Sequence, residues 1–218
     1  PVKSIRGVFA WATCPDVLNR FAETLKISGR TGDAKIFTYG TKVASTQARH
    51  ASSSALVTKS ADKKGSKIIL EEYMFDAAAD EAVDQMADYL EKQLNISNLK
   101  QRMIIVNDDD FKDFVTVNTE VLTRTKINNA TGTVQDGALF TEEYLPSETI
   151  MTTLALFSPT FLPEKKDVDE RLKNITEDEV IQLFCDKIPG GETMIQIGAG
   201  ATIGKGLTSV TFDKGALK

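Results

Sequence analysis

Apolar positions follow two rhythms along this chain. Val17, Leu18, Phe21, Ala22 and Leu25 recur at helical spacing behind Pro15, a residue suited to a helix's first position. The same period predicts a helix over 78–94. There Ala79, Val83, Met86, Leu90 and Leu94 line one face, and Asp80, Asp84, Asp88 and Glu91 lie elsewhere. Ser4 followed by IRGVFAWA predicts a further helix, capped by the serine and closed or kinked at Pro15. Asp108-Asp109-Asp110 opens a short helix carrying Phe111, Phe114 and Val115. Acids at a helix start suit the dipole there, so a metal site is the weaker reading. Two more short helices are predicted over 168–175 and 177–187, with Thr176 as N-cap of the second.

Runs of β-branched and aromatic residues predict strands over 67–75, 103–106, 193–197 and 207–212. Residues 120–157 stand apart from these. Residues 121–127 and 133–140 are strand formers around a turn-rich centre with Asn128, Asn129 and Gly132, and so predict a hairpin. A second turn at Pro146-Ser147 leads into 149–157, which reads as a buried strand. The hairpin is long, polar and poor in apolar cover, as suits an arm that projects and touches something. Residues 27–66 show little periodicity and many Gly, Ser, Thr, Lys and Ala, so they predict a long mobile insertion. Strand–helix–strand order with later hairpins predicts an α+β fold with helices on one face of an antiparallel sheet, such as a ferredoxin-like core.

Charge sharpens the picture. The net charge is −5, yet residues 1–70 carry 12 Lys and Arg against 4 Asp and Glu, and the remainder carries 14 against 27. A basic front half can meet phosphates while the acidic half meets solvent or protein neighbours. The insertion contributes Lys35, Lys42, Arg49, His50, Lys59, Lys63 and Lys64, which disorder or ordering on a nucleic acid would equally explain. Lys3 and Arg6 beside the predicted Ser4 cap would make a phosphate site, and Gly7 would allow another backbone to approach. His50 is the only histidine, which argues against a His-based triad or a multi-His metal site. Cys14 and Cys185 lie far apart without ligand spacing and suggest a reducing cytoplasm. No stretch approaches a membrane span or a secretory leader. The chain opens at Pro1 in mid-pattern, so an upstream segment is expected.

The stretch GAGATIGKG (198–206) invites a nucleotide-binding reading but fails two tests. Ala199 stands where a P-loop needs its first glycine, and Gly206 follows Lys205 where Ser or Thr belongs. A dinucleotide fingerprint would follow the first strand and open a helix, whereas this loop runs into a late strand. It reads better as backbone passing close to something, with Lys205 as a lone cation. A nucleotide-binding enzyme is therefore the weakest reading.

Taken together, these motifs resemble a known family. Ser4-Ile5-Arg6-Gly7 looks like the Ser-x-Lys/Arg-Gly start of the RAMP superfamily of CRISPR RNA-binding proteins, and the 198–206 loop like its C-terminal signature. FAWATCP, KIILEEYMF and GALFTEEYLP are similar to the repeated backbone subunit of the type III-B (Cmr) RNA-targeting complex. The resemblance implies a ferredoxin-like, RRM-like palm over 1–218 lacking its first strand, a basic insertion at 27–66 and a hairpin thumb at 120–140, with 123–136 as its working part. It implies a cytoplasmic subunit that stacks with copies of itself and other Cmr subunits along a guide CRISPR RNA. A single-stranded target RNA is then cut at regular intervals with Mg2+ or Mn2+. The family's cutting aspartate would precede Pro1, so no catalytic residue or metal ligand is carried over, and a non-cutting scaffold is the alternative. The RNA-binding candidates are Lys3, Ser4, Arg6, Gly7, Lys42, Arg49, His50, Arg124, Lys126, Ile127, Thr131, Val134, Gly198 and Lys205. Ile127 and Val134 would wedge between bases, and Arg124 and Lys126 would hold flanking phosphates.

Overall fold

Alternation of large and small side chains builds the central sheet. A computed structural model describes residues 1–59, 65–159, 175–187 and 193–212. In β2 (Phe9–Thr13), Phe9 and Trp11 face one side while Ala10 and Ala12 face the other. In β7 (Met103–Ile105), Met103 and Ile105 join the first side and Ile104 the second. This period of two places each strand between two apolar clusters. The sheet order is β1 (Val2–Lys3), β2, β7, β3 (Gln47–His50), β6 (Tyr73–Ala79), β5 (Ser66–Leu70) and β4 (Thr58–Lys59). The architecture is α+β, but the sheet is mixed, not antiparallel: β2 pairs with β7 and β3 with β6 in parallel.

The sheet curls back toward itself. Ser4, just past β1, bridges Leu70 at the end of β5, and the Glu71 amide donates to the Lys3 carbonyl at 2.9 Å. Ala10, Ala48, Ile68, Leu70, Phe75 and Ile104 fill the inside of the curl with Leu56 and Phe114. The opposite face of β2, β3 and β7 is covered by α1 (Pro15–Ile27), α2 (Thr31–Phe37), α3 (Glu81–Leu94) and α4 (Leu99–Arg102). Burying a side chain such as Leu18 or Met86 there contributes about 1.5–3 kcal/mol. The helix α5 (Asp108–Val117) sets Phe114 against Tyr73 and Phe75. No described helix is long and apolar enough to cross a membrane.

Four readings change. The segment 4–13 is a bend followed by β2, not a Ser-capped helix, because Gly7 (φ 75°) and Val8 (φ 72°) leave the helical region. The described part of 27–66 holds α2, β3 and β4 in place of an unpatterned loop, and 60–64 lie outside the described residues. Phe37, Val43, Ala48 and Leu56 are buried there, spaced too irregularly to show as one period. Residues 67–75 form a hairpin instead of one strand, turning at Glu71 (φ 47°) so that Leu70 faces Tyr73. Residues 149–157 form no strand. Trp11 Nε1 donates to the Glu148 carbonyl at 2.9 Å and pins the start of this segment as coil. The expected helix at 168–175 and the turn at 189–191 lie outside the described residues.

The chain divides into two compact units, Pro1–Ile27 with Thr31–Thr152 and Ser28–Arg30 with Thr153–Lys218. The second holds α6 (Glu177–Lys187) and the antiparallel pair β10 (Thr193–Gln196) and β11 (Leu207–Val210). Thr176 and Glu179 cap α6 reciprocally: Thr176 N donates to the Glu179 carboxylate at 2.8 Å, and Glu179 N to the Thr176 hydroxyl at 3.3 Å.

Candidate nucleic-acid interface

The hairpin is β8 (Glu120–Ile127) against β9 (Val134–Tyr144). None of its strand residues is buried, so no core claims it. Register splits its side chains into two faces. Leu122, Arg124, Phe140, Glu142 and Tyr144 share one; Val121, Thr123, Thr125, Leu139 and Thr141 share the other. The first face is ion-paired, with Arg124 Nε 2.8 Å from Glu142 and the Tyr144 hydroxyl donating to Glu142. That bond raises the Tyr144 pKa, with burial adding to the rise. Past a register shift after Thr125, Ile127 faces Val134 at the tip, both about half exposed. The tip closes on Asn128, whose carbonyl accepts from Gly132 N at 2.8 Å and whose side chain accepts from Ala130 N at 2.9 Å. The Thr131 hydroxyl lies 2.8 Å from that of Thr133, and Lys126 is exposed. The tip and strands thus gather Arg124, Lys126, Ile127, Thr131 and Val134.

Residues 4–8 make a second feature. Phe9 N donates to the Gly7 carbonyl at 2.9 Å, closing a three-residue γ-turn centred on Val8. A Cβ on Gly7 would lie 3.1 Å from Leu56 Cδ2, so the close approach expected at Gly7 is to a side chain of the same unit. Ser4 is 7% exposed, and its hydroxyl donates to the Ile69 carbonyl at 3.2 Å. Lys3 is exposed, and its backbone N–H donates to Glu71 at 3.2 Å. Arg6 Nη1 donates to the Val57 carbonyl at 2.7 Å, which fixes the guanidinium at the mouth of a cleft.

The other candidates lie elsewhere. His50 is 8% exposed, with Nδ1 2.8 Å from the Ala51 carbonyl. Arg49, its neighbour on β3, points to the opposite face, where its Nε is buried without a hydrogen-bond partner. Lys42 lines a second cleft of about 380 Å³ with Pro15, Tyr39, Asp108 and Asp109, where β2 and β7 end. Behind it, Asp108 caps α1 through Asp16 N at 2.9 Å. Burial, aided by Asp108, pushes the Cys14 thiol up to about 12. Burial also raises the Tyr39 phenol, whose hydroxyl donates to Asp80 at 2.7 Å. Among the described residues, no group of three or more His, Cys, Asp and Glu is placed to hold a metal ion.

The glycine-rich loop joins β10 to β11 in the second unit. Gly198, Gly200, Gly204 and Gly206 all have positive φ, and the Gly200 carbonyl accepts from Ile203 N and Lys205 N. A Cβ on Gly206 would stand 2.0 Å from the Ile197 carbonyl oxygen. The close approach read from these glycines is thus made within the hairpin itself. Gln196 Nε2 ties the loop's two ends, donating to the Gly198 carbonyl at 2.9 Å and the Lys205 carbonyl at 3.5 Å.

Sequence reasoning passed over Ser54, Thr58 and Ser66, which line the Arg6 cleft. Their only sequence signal was hydroxyl content in a stretch read as featureless.

Comparison with known proteins fits these features. A family profile described as the RAMP superfamily matches residues 1–209. The CRISPR system Cmr endoribonuclease Cmr4 of Pyrococcus furiosus is 32% identical over 217 residues, 97% of this chain and 65% of that protein. The chain therefore spans slightly less than two thirds of that relative's length. A crystal structure of oligomeric Cmr4 from Pyrococcus furiosus superposes with a TM-score of 0.60 at 26% identity, covering 97% of this chain and 68% of the other. A cryo-EM structure of type III-B Cmr-beta bound to cognate target RNA shares the fold, with a TM-score of 0.57 at 13% identity over 94% of this chain and 65% of the other.

Proposed function

Because the chain belongs to the RAMP superfamily, we propose that it is a guide-RNA-binding backbone subunit of a type III-B CRISPR effector complex. One observation carries this reading: a two-stranded arm with no buried strand residue and a tip of exposed Ile127, Val134 and Thr131. Such an arm gains nothing from its own fold and has its apolar side chains free for another molecule. Exposed apolar side chains at a hairpin tip can separate stacked bases. Unstacking costs about a few kcal/mol per step and is offset by packing of the tip against the splayed bases. Contacts to sugar and phosphate hold a guide without reading it, which suits a subunit that must accept any spacer.

In this reading, copies of the chain stack along the guide beside other Cmr subunits, in the cytoplasm, and a single-stranded target pairs with the guide between successive hairpins. Cleavage of that target at regular intervals is proposed for the assembled complex, with a divalent metal held by residues other than those named above. The relative named an endoribonuclease supports the proposal.

The test is reconstitution with guide RNA and the other complex subunits. Replacing 128–133 with a two-residue Asn-Gly turn should leave the subunit folded. It should disturb the spacing of target cuts, read on a denaturing gel. Unchanged spacing both with the shortened tip and with Ile127→Ala plus Val134→Ala overturns the wedge. Guide binding without any cut in the intact complex supports a scaffold instead.

A further inference from the structure

The cleft beside Arg6 measures about 620 Å³ and is lined by Arg6, Ser54, Ala55, Val57, Thr58 and Ser66. Among the described residues, its lining holds one guanidinium, three hydroxyls and no carboxylate. Asp76, on the neighbouring strand β6, is paired with Lys67. The guanidinium is held by one bond to Val57, and an arginine has five N–H donors, so others remain to meet an anion. The hydroxyls are set differently. Thr58 Oγ1 donates to the Lys67 carbonyl at 2.9 Å, whereas Ser54 Oγ both donates to the Gln101 carbonyl at 3.4 Å and accepts from Leu56 N at 3.3 Å. A hydroxyl whose proton is committed still offers lone pairs. Thr58 is therefore an acceptor toward the cleft, and an acceptor is of no use to a phosphate. It suits a donor attached near one.

A ribonucleotide carries that combination, an anionic phosphate and a 2′-hydroxyl donor on the adjoining sugar. We propose that this cleft takes one sugar-phosphate unit of RNA, with Arg6 on the phosphate and Thr58 accepting from the 2′-hydroxyl. Thr58 thereby makes this subunit prefer RNA to DNA at one position, because the 2′-hydroxyl is what separates the two polymers there. The inference rests on the RNA-binding reading above and adds a residue that selects sugar type.

Fluorescence anisotropy with the full chain tests it, using labelled oligouridylate and the matching oligodeoxyuridylate at several salt concentrations. Arg6→Ala should weaken both polymers and flatten the salt dependence by about one phosphate contact. Thr58→Val removes the acceptor but keeps the shape. It should weaken RNA by roughly three- to tenfold and leave DNA unchanged, and Thr58→Ser should restore the preference. Inorganic phosphate and uridine monophosphate serve as competitors, to tell a polymer site from a free-anion site. Equal loss on both polymers, no loss on either, or full competition by phosphate alone overturns the Thr58 assignment while the RNA-binding reading stands. If the Val variant melts early, the Ser variant and single 2′-deoxy substitutions along the RNA decide, since neither alters the fold. Failure of the unaltered chain to bind RNA removes the broader reading itself.

Discussion

Arg124 and Glu142 face each other across the hairpin, with Nε 2.8 Å from the carboxylate and each side chain about one third exposed. The pair occupies the cation that would otherwise meet a phosphate. At such exposure it contributes at most about 1 kcal/mol to stability. Glu142→Gln should therefore leave the thermal midpoint nearly unchanged and release the guanidinium. If the hairpin lies along RNA, the log–log salt slope of RNA binding should steepen by about one unit. An unchanged slope would place Arg124 away from any phosphate and leave Lys126 as the cation near the tip.

Ile127 and Val134 form the pair nearest the tip, at 49% and 52% exposure. Replacing both with alanine removes little buried area, so stability should change by only about 0.5 kcal/mol. Their effect should appear instead in the complex, as weakened or shifted target cleavage opposite the arm. Fluorescent base analogues in the guide would report lost unstacking directly. A large stability loss in the free chain would mean that the tip packs against its own unit.

Much of the fold could be read where one period runs long. The stripe over α1, the apolar face of α3 and the acidic start of α5 each follow from spacing and capping, and Asn107 supplies a cap to Asp110 N at 2.8 Å. The hairpin was legible too, because strand formers flank Asn128 and Gly132. Misreadings cluster where short-range content and tertiary structure disagree. Phe9, Ala10, Trp11 and Ala12 are apolar in any phase, so only their large–small alternation distinguishes strand from helix. The pairing of Ser4 with Leu70 joins residues 66 positions apart, and no local pattern encodes it. The Arg6 cleft was half legible: the arginine stood out, but the hydroxyls came from a stretch that meets residues 4–8 only through tertiary contacts, Leu56 against Gly7 and the Val57 carbonyl on Arg6.

Two glycines of the late loop make contrasting predictions. At Gly206, φ is 75° and a Cβ would collide with the Ile197 carbonyl, whereas at Gly198 φ is 82° with open space around it. Gly198→Ala should cost only the backbone strain, about 1 kcal/mol. Gly206→Ala must also push strands apart where Ile197 N donates to the Gly206 carbonyl at 2.8 Å, and should cost on the order of 2–3 kcal/mol. Amide exchange across β10 and β11 would read the difference. Equal exchange in both variants would show that the loop relaxes without the contact.

Asp84 ties α3 to the segment before the cleft. Burial pushes its carboxyl up, but the Ser52 amide at 3.0 Å, the Ser52 hydroxyl at 2.8 Å and Lys100 at 3.3 Å outweigh it, and its pKa ends below the usual value. A carboxyl with a lowered folded pKa binds fewer protons in the folded chain than in the unfolded one. Its stabilisation is thus complete above the ordinary carboxylate range and fades as pH falls through the lowered folded value. Asp84→Asn should reduce the urea midpoint at pH 7, and the gap to the unaltered chain should narrow as pH falls toward 3. Asp110 carries the opposite sign: burial raises its pKa, so protonation in the same acidic window relieves it. The Asp84 variant must therefore be compared with the unaltered chain at each pH, since both retain Asp110. A gap that stays constant from pH 7 to 3 would mean that the Ser52 bonds do not depend on the charge of Asp84.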